Sequence, residues 1–135
     1  MTDCCSGGTK LIYPCSGCAD VGEIADNAAR KLSRDNFGKM TCLAGVGARI
    51  PGFIESAKGA DENITIDGCP VACARKTLEC VGVKPSSFVL TEMGLAKGKT
   101  PVTAEAVKDI CAKIMKTHQN ADTGNCAPGS GCCCG

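Results

Sequence analysis

The chain has 135 residues, a formal net charge of +1, 13 cysteines, no tryptophan and only 3% aromatic residues. This length suits one domain with a single core of moderate size. A charge so close to zero gives no reason to expect a nucleic-acid or anionic-membrane partner, and so few aromatic rings argue against stacking platforms for bases.

The N-terminal sequence MTDCCSGGTK has no basic segment followed by an apolar one, so it does not resemble a signal peptide. No apolar run approaches the roughly 20 residues that a membrane span needs. We therefore expect a cytoplasmic protein. In a reducing cytosol, an odd and large number of cysteines indicates metal ligands or redox centres rather than a disulfide framework.

Short apolar or β-branched runs alternate with helical patterns along the chain. Strands are expected at four places, residues 10–14, 40–44, 63–67 and 87–91. Asp20 and Glu23 have the form of a capping box, so a helix is expected from Asp20 to just before Gly38. Cys69 is expected at an N-cap with Pro70 as the first helical residue. The other helices are expected at 50–57, 70–81 and 103–117.

This alternation predicts an α/β fold, a single small three-layer domain with a four-stranded parallel sheet and four helices. We expect the strand order 2-1-3-4, which places the switch point between the first and third strands. The domain is expected to span residues 10–117. A cysteine-containing N-terminal extension, 1–9, precedes it, and a flexible cysteine-rich tail, 118–135, follows it.

Five thiols fall where the predicted strands end. They lie in YPCSGCADVGE, KMTCLAGVG and ITIDGCPVACARK, and they are Cys15, Cys18, Cys42, Cys69 and Cys73. Because the carboxyl ends of parallel strands share one edge, these sulfurs are expected to meet in one crevice. Four thiolates would hold zinc, and the same donors would hold an iron–sulfur cluster or another soft metal.

Three further side chains receive non-ligand interpretations. Cys80 and Cys111 occur within amphipathic helical patterns and are expected to fill the core. His118, the one histidine, stands at the start of the polar tail and is expected to be solvated.

Two enzymatic interpretations compete with metal binding. Cys15 and Cys18, or Cys69 and Cys73, could serve a thiol–disulfide oxidoreductase. The Cys69-x5-Arg75 spacing resembles the anion loop of phosphatases and arsenate reductases, in which a thiolate attacks phosphorus or arsenic. Pro70 removes one backbone N–H from that loop, which counts against the second interpretation.

The connection at residues 92–102 is about twice the usual length and carries Lys97 and Lys99. It leaves from the edge expected to carry the thiols, as a lid would. Strands enter from the opposite edge, so the terminal cysteines are expected to form a separate soft-metal or redox patch there, composed of Cys4, Cys5, Cys126, Cys132, Cys133 and Cys134.

Three segments resemble the DGC domain family, small prokaryotic proteins named for an Asp-Gly-Cys motif and described as zinc-binding. The segments are PCSGCADVGEIA, GKMTCLAGVG and IDGCPVACARKTLE, and LTEMGLAKGK matches more weakly. The resemblance covers residues 10–117. It implies four characteristic cysteines, which correspond to Cys15, Cys42, Cys69 and Cys73; Cys18 is not part of that set.

Overall fold

Four parallel strands alternate with helices in the computed structural model, which describes residues 8–123. The strands are β1 (Lys10–Pro14), β2 (Lys39–Met40), β3 (Glu62–Asp67) and β4 (Ser86–Val89). The helices are α1 (Asp20–Arg34), α2 (Leu43–Gly47), α3 (Pro51–Gly59), α4 (Cys73–Glu79) and α5 (Ala104–Thr123), with a 3-10 turn at Leu90–Met93. The terminal cysteines, and the patch predicted for them, lie outside the described residues.

The sheet has the order β2-β1-β3-β4, and every neighbouring pair is parallel. Ile12 pairs with Met40 on one side and with Ile64 on the other. The α/β class and the strand order 2-1-3-4 are therefore confirmed. The described part of the chain has five helices instead of four, because α2 forms where the sequence indicated a loop around Gly45.

The helices cover the sheet on both faces and give three layers. One core joins the isoleucines of the two central strands to α1 and α5, with Ile12, Ile24, Leu32, Ile64, Ile66, Ile110 and Ile114 fully buried. The opposite core lies under α2, α3 and α4 and contains Leu11, Tyr13, Val46, Ala57, Leu78 and Val83. Alternate residues of β1 thus point to opposite cores, as the pleat requires.

His118 is buried at 8% exposure, so the expectation that it is solvated was wrong. Its Nε2 lies 2.9 Å from both carboxylate oxygens of Glu62, at the start of β3. Its ring meets the edge of Phe37 at 5.2 Å between centroids. Helix α5 continues past this residue to Thr123. The C-terminal part of α5 is therefore fixed at the amino edge of the sheet.

The two cysteines expected in the core have different environments. Cys111 is 1% exposed, and its Sγ lies 3.5 Å from the carbonyl oxygen of Ala28 in α1. Burial raises the pKa of this thiol to about 11. Cys80 is exposed, so the core assignment was wrong for this residue. Helix α4 ends at Glu79, and Cys80 is its C-cap.

Cys80 and Cys111 are therefore expected to differ sharply in alkylation by a neutral reagent at neutral pH. Cys80 should be labelled in the folded protein, because its thiol is exposed. Cys111 should be labelled only on unfolding, because burial both hides the sulfur and disfavours the thiolate that reacts. Peptide mass spectrometry before and after denaturation measures the two rates. Equal labelling of both thiols in the folded protein would contradict the burial of Cys111.

Within residues 8–123, no helix is long and apolar enough to cross a membrane.

Candidate functional site

Loops from the three strands β1, β2 and β3 reach one edge of the sheet, which we call the thiol edge. Cys15 follows β1, and its N–H donates to the carbonyl oxygen of Ile66 in β3 at 2.9 Å. Cys42 follows β2, and the preceding Thr41 N–H donates to Ile12 in β1 at 3.0 Å. Cys69 follows β3. The sheet itself therefore carries these cysteines to the same edge.

Cys15 joins the first loop to the third. It is half-buried, and its Sγ accepts a hydrogen bond from the backbone N–H of Gly68 at 3.3 Å. This hydrogen bond holds the Cys15 sulfur against the loop after β3, at the residue directly before Cys69.

Cys15 and Cys42 line the same open cleft of about 770 Å³. Asp26 and Arg30 of α1 form another part of its wall, with Arg30 Nε 2.7 Å from Asp26 Oδ2. Ser16 Oγ donates to the other carboxylate oxygen at 2.7 Å. Burial opposes ionisation of Asp26, but these two hydrogen bonds hold its pKa below the usual value. The cleft thus presents two thiols beside the ion pair of Asp26 and Arg30, whose opposite charges offset each other.

Asp67, the first residue of the Asp-Gly-Cys motif, fixes the start of α4. Its carboxylate is 1% exposed and accepts the N–H groups of Ala74 and Arg75 at 2.8 and 3.2 Å. Burial raises the pKa of Asp67, while these two hydrogen bonds oppose the rise. Cys69 is not the N-cap that the sequence indicated. The N-cap is Ala72, in a left-handed conformation with φ 54°, and Cys73 is the first helical residue.

Gly68, the second residue of the motif, lets α1 approach the end of β3. A Cβ placed on Gly68 would lie 2.7 Å from the backbone carbon of Val21 and 2.8 Å from the nitrogen of Gly22. Gly22 is equally close to the β1 loop, since a Cβ there would lie 2.6 Å from the carbonyl oxygen of Gly17. Two glycines therefore let backbone pack on backbone at the thiol edge.

The remaining predicted thiols lie nearer to solvent. Cys69 is half-buried, whereas Cys18, Cys42 and Cys73 are exposed. Lys97 Nζ lies 3.9 Å from Cys69 Sγ. The connection that carries Lys97 is held in place by Asp20, the first residue of α1. The Asp20 carboxylate accepts two backbone N–H groups of this loop as well as the N–H of Val21 in its own helix.

The donor chemistry of the thiol edge suits a soft metal, since thiolates are preferred ligands of zinc and of iron–sulfur clusters. The sulfurs are not gathered into a shell in this arrangement. Among residues 8–123, no three histidine, cysteine, aspartate or glutamate side chains are grouped closely enough to hold a metal ion.

The anion-loop interpretation of Cys69-x5-Arg75 gains no support from the guanidinium. Arg75 Nε faces Glu79 of the same helix at 3.6 Å. The backbone N–H of Arg75 is used by Asp67. An anion loop needs convergent free donors around its thiolate.

Sequence reasoning found the cysteines but missed three residues that shape their surroundings. Asp20 was assigned to a local cap, and neither Gly22 nor Gly68 was assigned a packing role. The signal for Lys97 was present in the long basic connection between β4 and α5. Fold and site together define a parallel α/β domain whose carboxyl edge carries cysteine thiols from three loops.

The sequence profile of the DGC domain matches residues 11–114, and the chain belongs to this family. It is also 36% identical over 88 residues to a Pseudomonas aeruginosa protein named anaerobic and virulence modulator AnvM. That alignment covers 64% of this chain and 67% of the relative. No solved structure gives a significant match. The family resemblance noted in the sequence is confirmed.

Proposed function

We propose that this protein is a cytoplasmic metal-binding protein that holds zinc, or another soft metal, through cysteine thiolates at the thiol edge. The observation that carries the proposal is the position of Cys15. Its sulfur accepts the Gly68 N–H beside Cys69 and lines the cleft that also contains Cys42. A metal bound to Cys15 would lie at the edge that also carries thiols from two other loops.

The proposed ligands are Cys15, Cys42, Cys69 and Cys73, with Cys18 as an exposed substitute on the first loop. Exposed side chains change rotamer on a fast timescale, so Cys42 and Cys73 can complete the shell after the metal has reached Cys15. Binding of this kind suits metal handling, because loops that close on the ion also release it. The Pseudomonas relative is named a modulator. If these loops closed on a bound metal ion, such a protein could change its conformation in response to the metal.

Zinc affinity of single variants tests the proposal. The six terminal cysteines are first replaced by serine, so that only the seven described thiols remain. Cys15→Ser and Cys69→Ser should each weaken zinc binding by more than about 100-fold, because even outer partners of metal ligands contribute about 10- to 100-fold. Cys80→Ser is the matched control and should bind like the parent. Competition with a chromophoric chelator under anaerobic conditions gives the affinities.

The spectrum of the cobalt-loaded protein tests the same set of ligands independently. Four thiolates should give strong sulfur-to-cobalt charge transfer and tetrahedral ligand-field bands, and both should weaken in Cys15→Ser. A parent protein that takes up no stoichiometric zinc or cobalt would refute the proposal. A metal-free protein whose Cys15 and Cys18 form a reversible disulfide would favour the second candidate, a thiol–disulfide oxidoreductase. The free thiols of that pair on one loop make this candidate chemically available.

A further inference from the structure

Residues 94–103, which connect the 3-10 turn to α5, form a loop that is stabilised by internal hydrogen bonds; we call it the Lys97 loop. Thr100 closes it, because its Oγ1 donates to the carbonyl of Ala96 at 2.8 Å and accepts the Ala96 N–H at 2.9 Å. The N–H of Lys99 donates to the same carbonyl at 3.1 Å. Gly98 has φ +79°, a left-handed conformation that glycine adopts at little cost. The short segment around Lys97 thus has a defined shape.

Asp20 anchors the Lys97 loop to the N-terminus of α1. One carboxylate oxygen accepts the N–H of Gly98 at 2.8 Å, and the other accepts the N–H of Thr100 at 2.9 Å. These hydrogen bonds, led by that from Gly98, lower the pKa of Asp20. The carboxylate is therefore occupied by backbone donors of the loop, about 80 residues away in sequence. This anchoring holds Lys97 over the third loop of the thiol edge.

Within the described part of the chain Lys97 forms no ion pair, and the Asp20 carboxylate that anchors its loop is engaged by backbone N–H groups. Its ammonium contacts Cys69 Sγ at 3.9 Å and has no carboxylate oxygen within 4.0 Å. Glu92, on the preceding turn, is the acid nearest to it in sequence and forms no ion pair there. A cation held beside a thiol, and open to solvent, attracts anions toward that sulfur.

We propose that Lys97 is a specificity residue of the thiol edge and selects small organic anions as ligands beside Cys69. This inference rests on the proposed function, which places a ligand at the thiol edge. It adds that ligands with a negative charge are preferred there. A ligand with a soft or electrophilic atom for Cys69 and a carboxylate for Lys97 would satisfy both groups at once.

Iodoacetate and iodoacetamide test this charge selection on the wild-type chain without any metal. In both reactions the Cys69 thiolate displaces iodide and forms the same S–CH2 bond, but only iodoacetate carries a carboxylate. The ratio of the two rate constants cancels the amount of thiolate, because both reagents react with the same thiolate. Mass spectrometry with fragmentation between Cys69 and Cys73 assigns the modification to one sulfur.

Lys97→Met should lower the iodoacetate-to-iodoacetamide ratio at Cys69 about five-fold, the effect of one charge near 4 Å in a water-like medium. Lys97→Arg should retain the ratio. Lys99→Met is the matched control, a lysine two residues away in the same loop, and should leave the ratio unchanged. In 1 M salt the wild-type ratio should approach that of Lys97→Met.

An unchanged ratio in Lys97→Met, or an equal fall in Lys99→Met, overturns the inference. The ratio at exposed Cys80 serves as an internal reference in every sample and should not change. Zinc affinity is measured in a separate experiment, so the metal-binding proposal and the charge-selection proposal can each be refuted without the other. A chain that binds no zinc but keeps the Lys97-dependent ratio would refute the metal proposal alone.

Discussion

Replacing Gly68 by alanine is expected to destabilise the domain by about 1–3 kcal/mol, the range for forcing extra atoms into a packed region. The added Cβ would lie 2.7 and 2.8 Å from backbone atoms of Val21 and Gly22. Backbone atoms cannot rotate away as side chains can, so α1 would have to move off the end of β3. Urea unfolding, followed by circular dichroism, gives the change in the free energy of unfolding.

Gly52→Ala is the matched control for this substitution. A Cβ at Gly52, in helix α3, would meet no heavy atom within 4 Å. Alanine is a better helix former than glycine by about 1 kcal/mol, so this variant should be as stable as the parent or more stable. If both alanine variants changed stability alike, the close approach at Gly68 would be excluded as the cause.

Asp67→Asn is expected to lower stability by about 1–3 kcal/mol, because a buried carboxylate then no longer accepts two backbone N–H groups. Asparagine offers one oxygen in place of two, and its amide NH2 would face the second donor at Ala74 or Arg75. Burial of the charged carboxylate opposes part of this stabilisation, as the raised pKa of Asp67 shows. Removing the charge offsets part of the loss, but a buried N–H without an acceptor remains.

Amide hydrogen exchange locates the effect of Asp67→Asn. The amides of Ala74 and Arg75 should lose protection, because Asp67 is their acceptor. Asp109→Asn is the control, since Asp109 forms an exposed ion pair with Lys113 of the same helix, α5. An exposed pair at this spacing contributes about 0.3–0.5 kcal/mol. Retained protection at both amides would show that Asp67 does not hold the first turn of α4.

The strand order could be predicted because it depends on short-range patterns. β1 and β3 are apolar or β-branched runs of five and six residues bounded by turn residues, and helices separate them. Such alternation leaves few topologies for a parallel sheet. Once the strands were predicted, the placement of the site cysteines at one edge of the sheet could be predicted too, since each of them lies within six residues of the end of a strand.

The start of α4 could not be predicted, because tertiary contacts override the local signal. Pro70 after Cys69 is a good helix beginning by composition. The carboxylate of Asp67 instead takes up the N–H groups of Ala74 and Arg75, so the helix begins at Cys73. Ala72 adopts a left-handed conformation that its sequence does not favour.

Contacts between residues far apart in the chain could not be predicted from the sequence either. Asp20 with Glu23 resembles a local cap, yet its carboxylate serves Gly98 and Thr100. His118 begins a polar segment, yet Glu62 and Phe37 enclose it. No periodicity in a single sequence encodes contacts across more than 50 residues. These are the contacts that placed Lys97 over Cys69 and extended α5.

The edge strand β2 has a consequence for how the three loops open. Only Leu11 and Ile12 of β1 pair with β2, through Lys39 and Met40, whereas β3 pairs with β1 along five residues. Local opening requires less free energy where fewer backbone bonds must break. We therefore expect the segment that carries Cys42 to open at a lower free-energy cost than the loop that carries Cys15, which follows a strand paired along five residues. The cleft that these two cysteines line should thus widen on the side of β2.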